Sequence, residues 1–69
     1  MTAAWRFVGE FWRGRDKVLT LTIMVVRPNF EEAEVVAKMK LVGADKITAV
    51  AVPPAEVSER HIRDGEVWL

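Results

Sequence analysis

The sequence contains no cysteine, no tyrosine and a single histidine, His61. A disulfide needs two cysteines and a structural zinc site takes four Cys or His ligands, so neither can staple this chain. The four glycines are scattered singly, whereas phosphate-binding loops cluster several glycines before a helix. We therefore expect no bound metal and no cofactor.

The inventory of catalytic side chains is equally short. Ser58 and His61 are three residues apart, close enough to meet on one helical face, but the surrounding sequence indicates neither an orienting acid nor an oxyanion hole. The carboxylates Glu31, Glu32 and Glu34 are explained by the start of a helix, where the macrodipole stabilises negative charge. The sequence therefore predicts a protein that is not an enzyme.

The composition is that of a folded chain. Of the 69 residues 51% are hydrophobic, and 10 basic side chains balance 10 acidic ones. Domains shorter than about 70 to 80 residues usually need a staple or a partner. We expect one domain over residues 1–69, stabilised by packing alone or by self-association. In size it is like the accessory proteins of phages and mobile elements, an analogy that carries no function.

No leader or membrane segment is visible in the sequence. Residues 1–6 lack an apolar core followed by a cleavage site. The longest apolar-looking run, Val18–Val26, is far shorter than the roughly 20 residues that cross a bilayer. A cytoplasmic protein without membrane contact is the expectation.

Two patterned segments predict a β-hairpin. Trp5–Trp12 alternates between two faces, and Lys17–Arg27 is rich in Val, Ile, Leu and Thr. A three-residue loop, Gly14–Asp16, unites the apolar faces of the two strands, whereas a four-residue loop would oppose Glu10 to Leu19. The predicted pairs are Phe11 with Leu19, Gly9 with Leu21, Phe7 with Ile23, and Trp5 with Val25.

A helix is predicted after Pro28. Asn29 is a good N-cap residue with Glu32 at the third helical position, and Gly43 supplies a left-handed C-terminal cap. The helix has a main apolar face, which should cover the hairpin and comprises Phe30, Ala33, Val36, Ala37 and Leu41. A smaller apolar stripe, Val35, Met39 and Val42, indicates another contact.

The rest of the chain completes an α+β domain. Ile47–Val52 is a strongly apolar run typical of a buried strand, parallel to the strand before the helix. Asp64 and Gly65 between apolar flanks favour a short terminal hairpin or a last strand. The predicted layout is β-β-α-β plus this terminal element, with one helix on one face of a three- to four-stranded mixed sheet.

One helix can cover only one face of such a sheet, which leaves apolar side chains on the other. The residues predicted there as an interface are Trp12, Val18, Met24 and Val26, flanked by Val8 and by either Val50 and Val52 or their neighbours. The sequence therefore predicts a protein-binding or adaptor module that forms a homodimer through this face. Alternatively, the face is closed within the monomer by Ile62, Val67, Trp68 and Leu69.

The even charge balance conceals a polarised chain. Residues 1–28 carry five basic side chains against two acidic ones, an excess of three positive charges that the remaining residues cancel. A basic hairpin beside an exposed indole is typical of proteins that bind single-stranded nucleic acid. A small nucleic-acid-binding protein is therefore the alternative function, with Arg6, Trp12, Arg13, Arg15 and Lys17 as its contacts.

Overall fold

The first two strands form one long hairpin in the computed structural model, which describes residues 3–53 and 66–68. Strand β1 is Ala3–Arg13 and strand β2 is Asp16–Arg27. They pair antiparallel, with Phe7 opposite Ile23 and Phe11 opposite Leu19. The predicted register is therefore confirmed, as expected where a one-residue slip would move every apolar side chain to the wrong face.

The turn of the hairpin differs from the predicted one. The register shifts after Phe11, so that Trp12 pairs with Lys17 and Arg13 with Asp16, and Val18 is the extra residue of a β-bulge. The loop is therefore two residues, and the prediction of three was wrong. Gly14 has a φ of 63° at the first loop position, which is what a tight type II′ hairpin turn requires. Because the loop is one residue shorter than predicted, β2 has one extra residue, and this residue is Val18 in the bulge.

Helix α1 is Phe30–Lys40. It begins after Asn29, as the sequence predicts, and ends at Lys40 with Leu41 as its C-cap, slightly earlier than the predicted cap at Gly43. The Asn29 side-chain oxygen accepts a hydrogen bond from the Glu32 main-chain N–H at 2.9 Å, and the Glu32 carboxylate accepts one from the Asn29 amide at 2.8 Å. These two bonds close a capping box through the asparagine side chain. After Leu41, Gly43 takes a φ of 92°, the left-handed conformation that ends the helix.

Two further strands complete a four-stranded sheet in the order β3-β1-β2-β4. Strand β3 is Lys46–Val52 and strand β4 is Glu66–Trp68. Since β1 runs antiparallel to both β2 and β3, those two strands are parallel to each other, as predicted, with β1 between them. Strand β4 pairs parallel with β2. The α+β class is confirmed, whereas the predicted hairpin turn at Asp64 and Gly65 lies outside the described residues.

Helix α1 packs on β1 and β2. The core between them is a cluster of buried side chains: Phe7, Ile23, Val25, Ala33, Ala37 and Leu41. The ring of Phe30 closes one end of this core, edge-on to Trp5 at 5.7 Å and stacked on Phe7 at 6.0 Å between centroids. The main apolar face of the helix therefore covers the hairpin, as the periodicity predicts.

Strand β3 corrects the prediction of a buried strand. It lies at the edge of the sheet, and every residue from Lys46 to Ala51 is exposed, whereas Val52 is buried. The helix spans β1 and β2 and leaves β3 uncovered. An apolar run of this length is found both in central and in edge strands, so its composition alone does not fix its position.

Candidate protein-contact surface

The sheet face opposite the helix is divided into a closed half and an open half. Ala4, Met24 and Val52 form a buried cluster, with Val26 packed against it. We call these four residues the closed cluster. Met24 is fully buried in the isolated chain and Val26 is partly buried, so two of the four predicted interface residues are covered within the monomer.

The open half is formed by the outer hairpin, which we define as residues 12–21 and whose side chains lie alternately on the two faces of the sheet. Every one of these residues is exposed. Trp12 and Val18, the other two predicted interface residues, retain 42% and 58% of their surface. The pairing of Trp12 with Lys17 and the alternation from Leu19 place Lys17 and Val18 on the same face as Trp12, as a bulge allows.

Apolar side chains are exposed on the helix side of the outer hairpin as well. Leu19 and Leu21 belong to the core-facing register, yet both are exposed. The reason is length. An 11-residue helix is about 16 Å long at 1.5 Å per residue, whereas the 12 residues of β2 extend over about 40 Å. The helix is therefore too short to cover the whole hairpin. The lengths of the two elements can be read from the sequence, but the periodicity of apolar residues does not reveal this difference in length.

Hydrogen bonds hold Trp12 in place. Its main-chain N–H donates to the Asp45 carboxylate at 2.7 Å, and its indole N–H donates to the Glu10 carboxylate at 3.1 Å. The Glu10 carbonyl in turn accepts from the Asp45 main-chain N–H at 2.8 Å. An exposed aromatic side chain whose position is already fixed loses little conformational entropy when a partner covers it.

Four of the five predicted nucleic-acid contacts lie together. Trp12, Arg13, Arg15 and Lys17 are all exposed around the tip of the hairpin. Arg6 does not join them, because it lies six residues earlier on β1, or about 20 Å from Trp12, and pairs across the sheet with Met24 and Val50.

Acidic groups lie at the tip beside these cations. The carboxylates of Glu10 and Asp45 are bonded to Trp12, and Asp16 opens β2. The positively charged surface at the tip is therefore small, and negative charge lies beside the aromatic ring on which a base would stack.

The outer face of helix α1 is a second exposed apolar surface. Val35, Met39 and Val42 retain 58%, 68% and 75% of their surface. At 100° per residue Val35 and Met39 point away from Ala37, which faces the core, and Val42 lies in the turn that follows the helix. The smaller stripe predicted from the sequence is therefore exposed to solvent.

Within residues 3–53 and 66–68, no three His, Cys, Asp or Glu side chains are grouped to hold a metal ion. Ser58 and His61 lie outside the described residues. Among the residues that the structure describes, no helix has the length and apolar character needed to cross a membrane.

Comparisons of the chain with protein-family models, with curated proteins and with solved structures give no significant match.

Proposed function

We propose that this chain is a non-enzymatic protein-binding module that acts through the outer hairpin and associates with itself. The observation that carries the proposal is the exposure of apolar side chains along residues 12–21, with Trp12 on one face and Leu19 and Leu21 on the other. These exposed side chains lie close together on the two faces of one hairpin, and grouped exposed apolar side chains mark sites of protein contact.

Trp12 is the anchor of the proposed contact. Tryptophan is enriched among the residues that contribute most to binding at protein interfaces, and burying a large apolar side chain contributes on the order of 2 kcal/mol. The two carboxylates that bond Trp12 keep it ordered before binding. Met24 and Val26 support this face from the closed cluster, so the proposal assigns direct contact to Trp12 and Val18 and not to all four residues.

Sedimentation equilibrium tests this proposal. We expect the chain to self-associate at micromolar concentration, and the Trp12→Gln variant to raise the dissociation constant tenfold or more. Met39→Gln is the matched control, because Met39 is even more exposed but lies on the outer face of the helix. An unchanged dissociation constant in Trp12→Gln, or a wild-type chain that stays monomeric at high micromolar concentration, would contradict the proposal.

Nucleic-acid binding is the second candidate. It is favoured by one observation, the grouping of Arg13, Arg15 and Lys17 around an exposed indole. The carboxylates of Glu10 and Asp45 weaken it, because they lie where phosphates would approach Trp12. A contact with another protein does not require a positively charged surface around Trp12. We therefore place protein binding before nucleic-acid binding.

A further inference from the structure

Strand β3 forms a long and uncovered edge of the sheet. It pairs with β1 on one side, and among the described residues no strand pairs with its other side. The six residues from Lys46 to Ala51 are exposed. The opposite edge is β4, which is only three residues long. On that side β4 covers only Thr22–Met24 of β2, and the part of β2 before it carries Asp16, Lys17 and the bulge at Val18. Short strands, charged side chains and bulges all oppose pairing with another chain, so the sheet is open to pairing mainly along β3.

The hydrogen bonds at the end of β1 show which groups of β3 face outward. The Glu10 carbonyl and the Trp12 N–H both bond to Asp45, just before β3. The main-chain groups of alternate residues in a strand point to the same edge, so the even-numbered residues of β1 direct theirs toward β3. Their partners on β3 are Lys46, Thr48, Val50 and Val52.

The intervening residues of β3 are Ile47, Ala49 and Ala51. By the same alternation, their three N–H and three C=O groups point away from β1, toward the open edge. These residues contain no proline and no charged side chain, and the register between β1 and β3 has no bulge. Proline, charge and bulges are the usual means by which edge strands avoid pairing with another chain.

We propose that this edge binds the same edge of a second copy of the chain, antiparallel, across a two-fold axis at Ala49. The outward residues are symmetric about Ala49, so Ala49 pairs with itself and Ile47 pairs with Ala51 of the second copy. This register satisfies all three N–H and all three C=O groups of each copy. A second copy therefore bonds every outward group of this edge, and the side chains of β3 also match those of a second copy.

The side chains suit the same register. On the face away from the helix, Thr48 lies across from Val50 of the second copy, a β-branched pair that favours strand pairing. Lys46 lies across from Val52 and not from a second lysine, so like charges do not oppose each other. On the helix side the small side chains of Ala49 and Ala51 leave room at the axis.

The helices do not obstruct this pairing. Each lies over β1 and β2, so in the joined sheet the two helices are about four strand spacings, or roughly 19 Å, apart. Packed helices are only 8 to 10 Å apart. The two sheets therefore join into one continuous sheet with both helices on the same face and both outer hairpins free.

Because residue 49 faces itself in this register, charge swapping tests it directly. We expect Ala49→Lys and Ala49→Glu each to raise the dissociation constant of the edge dimer about fivefold or more, since like charges then oppose each other across the axis. An equimolar mixture of the two variants should restore the dimer. The mixture also shows that both variants fold, because unfolded chains would not pair.

The absence of cysteine allows a second test of the register. Ala49→Cys should crosslink to a dimer under mild oxidation, because residues in a bonded antiparallel pair have Cα atoms about 5.5 Å apart, within disulfide range. Ala51→Cys is the matched control. Residue 51 of one copy pairs with residue 47 of the other, so the two cysteines at position 51 would be four residues, or about 13 Å, apart along the strand. It should stay uncrosslinked.

The outcomes separate this inference from the proposed hairpin contact, on which it does not rest. If Trp12→Gln abolishes self-association and the charge variants at residue 49 leave it unchanged, the edge inference is overturned. Failure of the mixed variants to pair, or equal crosslinking by Ala49→Cys and Ala51→Cys, also overturns it. If the charge variants dissociate the dimer and Trp12→Gln does not, the edge stands and the hairpin contact fails.

Discussion

Leu41 lies directly over Gly9. Its two terminal methyl carbons are 3.1 and 3.2 Å from the position that a β-carbon on Gly9 would occupy, and the β-carbon of Ala44 is 3.4 Å from it. Glycine in the middle of a strand costs stability, because it packs no side chain against its neighbours. Here it allows Leu41, at the end of helix α1, to approach the sheet closely.

The first prediction concerns this contact. Gly9→Ala should lower the free energy of unfolding by about 1 kcal/mol, because a β-carbon would press on Leu41, which is buried and has little room to move. Urea denaturation measures the change. In the background of Leu41→Ala the same substitution should cost less, or even stabilise the chain. Equal costs in both backgrounds would show that Leu41 is not the cause.

The second prediction concerns the start of the helix. Asn29→Ala removes the acceptor of the Glu32 main-chain N–H and should lower the free energy of unfolding by about 1 kcal/mol. Asn29→Asp retains an acceptor at the same position and should retain most of the stability. The midpoint of thermal or urea unfolding distinguishes the two variants. Equal losses in both would refute a capping role for the side chain.

The third prediction concerns Asp45. Asp45→Ala removes the acceptor of the Trp12 main-chain N–H, so this amide should exchange with solvent markedly faster than in the wild-type chain. Asp45→Asn retains an acceptor oxygen and should retain most of the protection. Hydrogen exchange followed by NMR measures both. An unchanged exchange rate in Asp45→Ala would mean that the carboxylate does not hold the edge of the outer hairpin.

The fourth prediction tests the nucleic-acid alternative. If the basic tip binds single-stranded nucleic acid, a fluorescent oligonucleotide should bind at low salt, and the affinity should fall steeply as salt is raised. The double substitution Arg13→Glu and Arg15→Glu should abolish binding, and the distant Lys38→Glu and Lys40→Glu pair should retain it. Fluorescence anisotropy measures each affinity. Absence of binding at low salt rules this function out.

Local signals in the sequence predict most of the elements. Alternation gives the hairpin and its register, because a slip of one residue would expose Phe7 and Ile23. Asn29 and Gly43 bound the helix through main-chain hydrogen bonds and a positive φ that act within a few residues. The two-residue turn was missed because the same sequence fits a longer loop if the bulge at Val18 is not considered.

The sequence pattern predicts the exposure of only part of the candidate surface. Trp12 and Val18 are exposed as expected, but Met24 is fully buried and Leu19 is not. Both differences arise from coverage, which depends on how far distant elements reach across the sheet. A pattern of apolar residues identifies the face of a strand to which a side chain belongs, but not the length of that face that a helix covers.

The elements, their order and the pairing of the first two strands can be read from the sequence, because each follows from contacts between residues near one another in the chain. Three features depend on contacts between distant parts of the chain: β1 is central and β3 lies at the edge, the helix ends over Gly9, and the face opposite the helix is half closed. These outcomes depend on which strands compete for the two sides of β1 and on the mismatch between a short helix and a long hairpin. The same mismatch leaves the outer hairpin exposed.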